Sequence, residues 1–193
     1  MAAKTEGYHS ILIVSTSEQF VPVIKKLLKG FAAVDVRKSG ALARRSILEG
    51  YYDLVVINGP LCDETGEDLA IFVTEKCNAS VLLVIPQDVM ENVLQLVTDV
   101  GVLVIGKPCP VGKLDKAVRF LVATQKKIRE QEQKVIALNE KMEEMRIVNK
   151  AKFLLIEEKH MSEDEAHRWI GKQAMDHGIS RGRAARKILD EME

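Results

Sequence analysis

The stretch at residues 53–59, DLVVING, decides the fold. Its four consecutive Leu, Val and Ile residues have no polar alternation, which is what a strand buried on both faces requires. Four companions read as strands: SILIVST at 10–16, VDVRKS at 34–39, SVLLVIP at 80–86 and GVLVIGKP at 101–108. Between and after them, amphipathic spacing predicts helices over 20–29, 42–49, 68–77, 89–97 and 111–125. Strands alternating with helices imply right-handed crossovers, hence an α/β fold built on a doubly wound, five-stranded parallel sheet. In such a sheet a site lies at the carboxyl ends of the strands.

The element order and spacing over 8–123 resemble the receiver domain of bacterial response regulators, which has a flavodoxin-like fold. That resemblance implies fixed positions: an acidic pair after the first strand for Mg²⁺, and a phosphoacceptor Asp ending the third. Here the first strand ends in Ser15 and Thr16, and the third ends in Asn58. Ile85, followed by Pro86, stands where a hydroxyl residue is expected after the fourth strand. Lys107-Pro108 alone keeps the pattern, as a structural remnant or an anion contact. Mg²⁺ takes hard oxygen ligands, usually carboxylates, and an Asn amide is no nucleophile. The resemblance therefore implies a pseudo-receiver with a degenerate phosphorylation site. Asp63, Glu64, Glu67 and Asp68 downstream read as a solvated acidic loop and helix start.

Residues 113–159 contain neither Gly nor Pro. Leu121, Ile128, Val135 and Met142 recur at intervals of seven, with Leu138 and Met145 three places after the last two. That is a heptad seam of about three repeats. A helix of about 40 residues spans about 60 Å and outruns a small domain, so a second copy is expected to cover the stripe. The seam predicts a coiled-coil linker over 124–145 and a homodimer, a modest one because Met, Gln131 and Thr124 interrupt it. A single solvated helix is the alternative.

The tail, residues 146–189, reads RIVNKAKFLLIEEKHMSEDEAHRWIGKQAMDHGISRGRAARKIL. It predicts a small three-helix domain over 146–193. Its first helix ends near His160; Ser162 and Glu165 form a capping box for the second. Gly178 closes that helix and Ser180 caps the third. Ala166, Trp169, Ile170 and Ala174 make one apolar face, so Trp169, the only tryptophan, is expected to pack rather than stack on a base. Met175 is likewise expected in the core, with a binding contact the alternative. His160 and His167 fall on different helices and read as surface residues.

Ala151-Lys152, the run Met161-Ser162-Glu163-Asp164-Glu165-Ala166 and Ala174-Met175 resemble the ANTAR domain, the RNA-binding module of bacterial transcription antiterminators. Phe153 departs from the Gly usual after Ala-Lys, and the third helix matches loosely. The resemblance implies that each protomer of a dimer grips one loop of a paired-hairpin leader RNA and holds it against a terminator. The candidate contacts are Lys150, Lys152, Arg168, Lys172, Gln173, Arg181 and Arg183, with Lys152 foremost because it lies in a matching motif.

The formal net charge of the 193 residues is zero, so basic character must be local. Cys62, Cys77 and Cys109 are odd in number and lack metal-ligand spacing, which fits a reduced cytoplasm. No apolar run has spanning length, so no membrane contact is expected. No cofactor, metal or enzymatic constellation is expected either. A regulatory protein or small ligand acting on the receiver-like domain, a DNA-binding regulator and a dimeric protein-interaction adaptor remain open alternatives.

Overall fold

The computed structural model describes residues 10–28 and 33–192; residues 8, 9, 29 and 193 of the ranges expected above lie outside them. The chain divides into two compact units, Met1–Ile128 and Arg129–Glu193.

The first unit alternates strand and helix throughout: β1 (Ser10–Val14), α1 (Phe20–Leu27), β2 (Ala33–Arg37), α2 (Gly40–Glu49), β3 (Leu54–Asn58), α3 (Glu67–Lys76), β4 (Ser80–Pro86), α4 (Met90–Val97) and β5 (Val102–Lys107). The start of α5 (Val111–Lys159) closes it. All strand pairs are parallel, in the order β2-β1-β3-β4-β5. The Val/Ile/Leu runs are explained by two cores, one per sheet face. Leu12, Val14, Val55, Ile57, Val81 and Leu83 point to one side, beneath α2, α3 and α4. Ile11, Ile13, Leu54, Val56, Leu82 and Val84 point to the other, against α1 and the first turns of α5. With both faces covered, period-two alternation in polarity disappears from the sequence while alternation in direction persists.

One expected seam residue belongs to this core. Leu121 is 6% exposed and packs with Leu114, Ala117, Val118 and Val122 on the sheet-facing side of α5. Three-to-four spacing against the sheet claims it, and the seven-residue interval to Ile128 is incidental. Gln125, also buried, donates from Nε2 to the Asn78 carbonyl and accepts at Oε1 from Ser80 Oγ at 3.0 Å. The remaining seam residues, Ile128, Val135, Leu138, Met142 and Met145, are 41–61% exposed.

In the second unit the end of α5 packs with α6 (Glu163–Asp176) and α7 (Arg181–Met192). The core is small and rich in Ala: Ala151 and Leu155 from α5, Ala166, Ile170 and Ala174 from α6, Ala184, Ala185, Ile188 and Leu189 from α7. The punctuation follows the sequence. Ser162 Oγ accepts from the Glu165 N–H while the Glu165 carboxylate accepts from the Ser162 N–H. Gly178 sits at φ +62°, with Ile179 N–H bonded to Ala174 O and Gly178 N–H to Met175 O, a Schellman closure. Ser180 Oγ accepts from the Arg183 N–H. Trp169 packs against this core, with Lys159 Nζ 5.2 Å from its ring centre.

Candidate functional sites at the sheet edge and in the C-terminal helices

At the carboxyl ends of β1, β3 and β5, the side chains of Ser15, Asn58 and Lys107 form a closed relay. Lys107 Nζ donates to Asn58 Oδ1 at 2.9 Å and to the Gly59 carbonyl. Because an ammonium only donates, Asn58 must turn its oxygen to Lys107 and its NH₂ to Ser15; Nδ2 donates to Ser15 Oγ at 3.0 Å. Ser15 Oγ also accepts from the Ser17 N–H. Ser15 and Asn58 are 2% and 6% exposed, so the polar groups are satisfied by one another rather than by water. Desolvation lowers the Lys107 pKa from the ordinary lysine value. Thr16 is exposed, and Ile85 is buried in the apolar core beneath α3 and α4.

Of the acids downstream of β3, Glu67 and Asp68 open α3 as expected from sequence, whereas Asp63 and Glu64 are tied to α2 rather than free in the loop. Asp63 accepts from the N–H groups of Gly40 and Ala41 at 2.9 and 3.0 Å, capping that helix. Those backbone bonds, Ala41 first, hold its carboxyl below the usual value. Glu64 pairs with Arg44 through both oxygens. Among the described residues no group of three or more His, Cys, Asp or Glu converges as a metal site would require.

In the second unit, α6 and the start of α7 frame a basic cleft of about 550 Å³. Arg168, Lys172 and Met175 follow one another at i, i+4 and i+7 on α6, and Arg181 enters from α7. Gly171, Ala174, Gly178 and Ile179 complete the walls with His167, and no carboxylate lines it. Three of the expected RNA contacts, Arg168, Lys172 and Arg181, are thus brought together.

The others lie elsewhere. Lys152 is bound at 2.8 Å to Glu163, in the first turn of α6, and its side chain is only 16% exposed. The same bond holds the Glu163 carboxyl below its usual pKa. Lys150 is exposed on α5 and Gln173 half-buried on α6. Arg183 and Arg186 face a second groove, walled by Glu140, Glu143 and Glu144. There the Glu144 carboxylate accepts from the Gly182 N–H at 2.8 Å and caps α7. A Cβ on Gly182 would come within 2.7 Å of the Glu144 side chain, which would have to shift to admit it. With Ser180 on the Arg183 N–H, two of the donors opening α7 are occupied.

Met175 corrects the expectation of a core residue: it is 79% exposed on the cleft rim. Its position one turn beyond Lys172 puts it on the basic face rather than on the Ala166–Ile170–Ala174 face. Phe153, at the position where the motif departs from glycine, is 67% exposed.

The family model described as the ANTAR domain matches residues 137–189. The C-terminal helices form an ANTAR domain. Over 141 residues the chain is 27% identical to Transcriptional regulatory protein PdtaR of Mycobacterium tuberculosis, covering 72% of this chain and 68% of PdtaR. Among solved structures, the signal receiver domain of an HD domain-containing protein from Pseudomonas fluorescens Pf-5 aligns at TM-score 0.57 and 17% identity, covering 67% of this chain and 97% of that one. The adenylate cyclase chain from Rhodopirellula baltica aligns at 0.60 and 15% identity, over 66% of this chain and 97% of that one. At these identities the likeness concerns the fold alone: a receiver fold precedes the ANTAR domain.

Proposed function

We propose that this chain is a cytoplasmic RNA-binding regulator that promotes transcription antitermination. As a dimer it would bind paired hairpin loops in a leader transcript through its ANTAR domain. The observation that carries the reading is the acid-free cleft holding Arg168, Lys172 and Arg181 inside the segment matched to that domain. Clustered cations beside an apolar surface suit a loop, whose phosphates and unstacked bases are accessible together. The relationship to a protein named as a transcriptional regulator supports the same reading.

The receiver-like unit acts in this account without phosphorylation. A phosphoryl group needs a carboxylate at position 58 and a Mg²⁺ bound by acids near 15 and 16; amide and hydroxyls stand there instead. Lys107, which would meet an incoming anion, is engaged by Asn58 and Gly59. Control therefore comes from a partner protein, a small ligand or the assembly state. Ile128, Val135, Leu138, Met142 and Met145 supply the exposed stripe for a parallel coiled-coil dimer.

An electrophoretic shift tests the RNA claim, comparing a hairpin RNA, the same stem with a substituted loop, and duplex DNA of equal length. The reading expects the hairpin to bind tightest, with loss on loop substitution. Equal competition by duplex DNA would replace it with a DNA-binding regulator.

A further inference from the structure

We infer that the cleft between α6 and the start of α7 is a seat for one unpaired nucleobase, with Gly171 as its floor and Met175 and Arg181 as its walls. The inference rests on the RNA-binding reading and specifies where in the ANTAR domain a loop base is held.

Gly171 carries the argument. It stands in the middle of a 14-residue helix, where glycine is the least favourable residue other than proline. Internal packing does not demand it. A Cβ built there meets only the Arg181 guanidinium, at 3.8 Å, which is ordinary van der Waals distance. At Gly182, by contrast, a Cβ would displace the Glu144 side chain that caps α7. A glycine that the fold does not need, opening onto a cleft, keeps space for something outside the fold.

The walls say what that occupant is. The Arg181 guanidinium, 3.8 Å from where a Gly171 Cβ would stand, walls the cleft from α7 and is a planar cation suited to stacking on a base. Met175 presents a polarizable thioether at 79% exposure, a residue type that favours contact with aromatic rings. Arg168 and Lys172, one turn apart along the same helix face, are placed for the phosphates on either side. A volume of about 550 Å³ lies in the range of small-ligand clefts. Base pairs in a duplex hide the faces that such a slot would grip, so the occupant is a single-stranded loop base.

The test uses the full chain and three probes: RNA hairpins with one fixed stem and a randomised loop, the same stem closed by an abasic loop, and the bare duplex stem. Affinities are measured by fluorescence anisotropy, and RNA bound to the native protein is sequenced. The expected result is a tenfold or greater preference for the base-containing pool, with one loop position enriched for a particular base. Gly171→Leu, which fills the slot without altering charge, should erase both the preference and the enrichment while the thermal midpoint of the ANTAR domain is not lowered. Should Gly171→Leu fail to fold, Gly171→Ala and Met175→Ala replace it, each expected to reduce the preference at least threefold. A native-like preference in the folded variants overturns the nucleobase seat and leaves RNA binding intact. If the native chain binds hairpins no better than the bare duplex stem, the RNA-binding reading fails and the seat with it.

Discussion

Replacing Val135 and Met142 together by Lys should convert a dimer into a monomer. The two positions are each 55% exposed on α5. Complete cover by a partner helix would remove about 80 to 100 Å² of apolar surface per side chain, or about 2 kcal/mol each. Two positions on each of two protomers make the gross loss about 8 kcal/mol, comparable with the whole free energy of a micromolar dimer. Four ammonium groups crowded along one seam add repulsion. Light scattering during size-exclusion chromatography should report twice the monomer mass for the native chain at tens of micromolar, and the monomer mass for the variant. Leu121→Ala supplies the contrast. Because Leu121 is buried in the receiver core, the substitution should cost about 2–5 kcal/mol in stability of the first unit, with the assembly state retained. A native monomer, or a doubly substituted dimer, would refute the coiled coil.

Three further outcomes follow. Incubation with acetyl phosphate and Mg²⁺ should leave the intact mass unchanged, and an added phosphoryl mass lost in Asn58→Ala would contradict the pseudo-receiver. Asp63→Ala should lower the thermal midpoint of the first unit, because two N–H groups of α2 lose their acceptor. The folded-state pKa of Asp63 is lowered, so its stabilising contribution is full above the unfolded value of about 4. It fades as pH falls through the lower folded value, and the gap between native and variant should close in acid; a gap that widens there would be wrong in sign. Lys152→Ala should lower the thermal midpoint of the ANTAR domain, because Glu163 loses its ion-pair partner and a mostly covered side chain is removed. It should leave the salt dependence of RNA binding unchanged, whereas Arg168→Ala should flatten that slope by about 0.7 to 0.9.

The sheet was legible because a parallel strand covered on both faces announces itself as an unbroken Val/Ile/Leu run, and β3 is the plainest case. Helix punctuation at Ser162, Gly178 and Ser180 was legible for a similar reason: caps act over three or four residues. Contacts across the fold were not. Lys152 reads as a free cation in its motif, and only the packing of α5 beside α6 brings Glu163, eleven residues on, within 2.8 Å. Leu121 obeys a heptad and a core pattern at once, and the sheet decides between them. Met175 looks like a continuation of an apolar face, yet its angle around α6 places it with Arg168 and Lys172. Asp63 gave no local sign of reaching α2, since its partners lie 22 and 23 residues earlier. Gly171 did carry a signal, an unexplained glycine inside a capped helix, but its meaning required knowing that only the Arg181 guanidinium approaches the space above it.

The most direct test of the central claim compares one hairpin with two on a single RNA. A dimer with one loop-binding ANTAR domain per protomer should bind the paired hairpins far more tightly than either alone, because the second loop is captured at the effective concentration set by the spacer. Titration of the native chain against single and paired hairpins, with the spacer varied, measures that gain. The account predicts a gain of a hundredfold or more at a matching spacer, lost when the spacer is too short for both loops to be held and lost in the Val135→Lys, Met142→Lys variant. Equal affinity for single and paired hairpins at every spacer would contradict it.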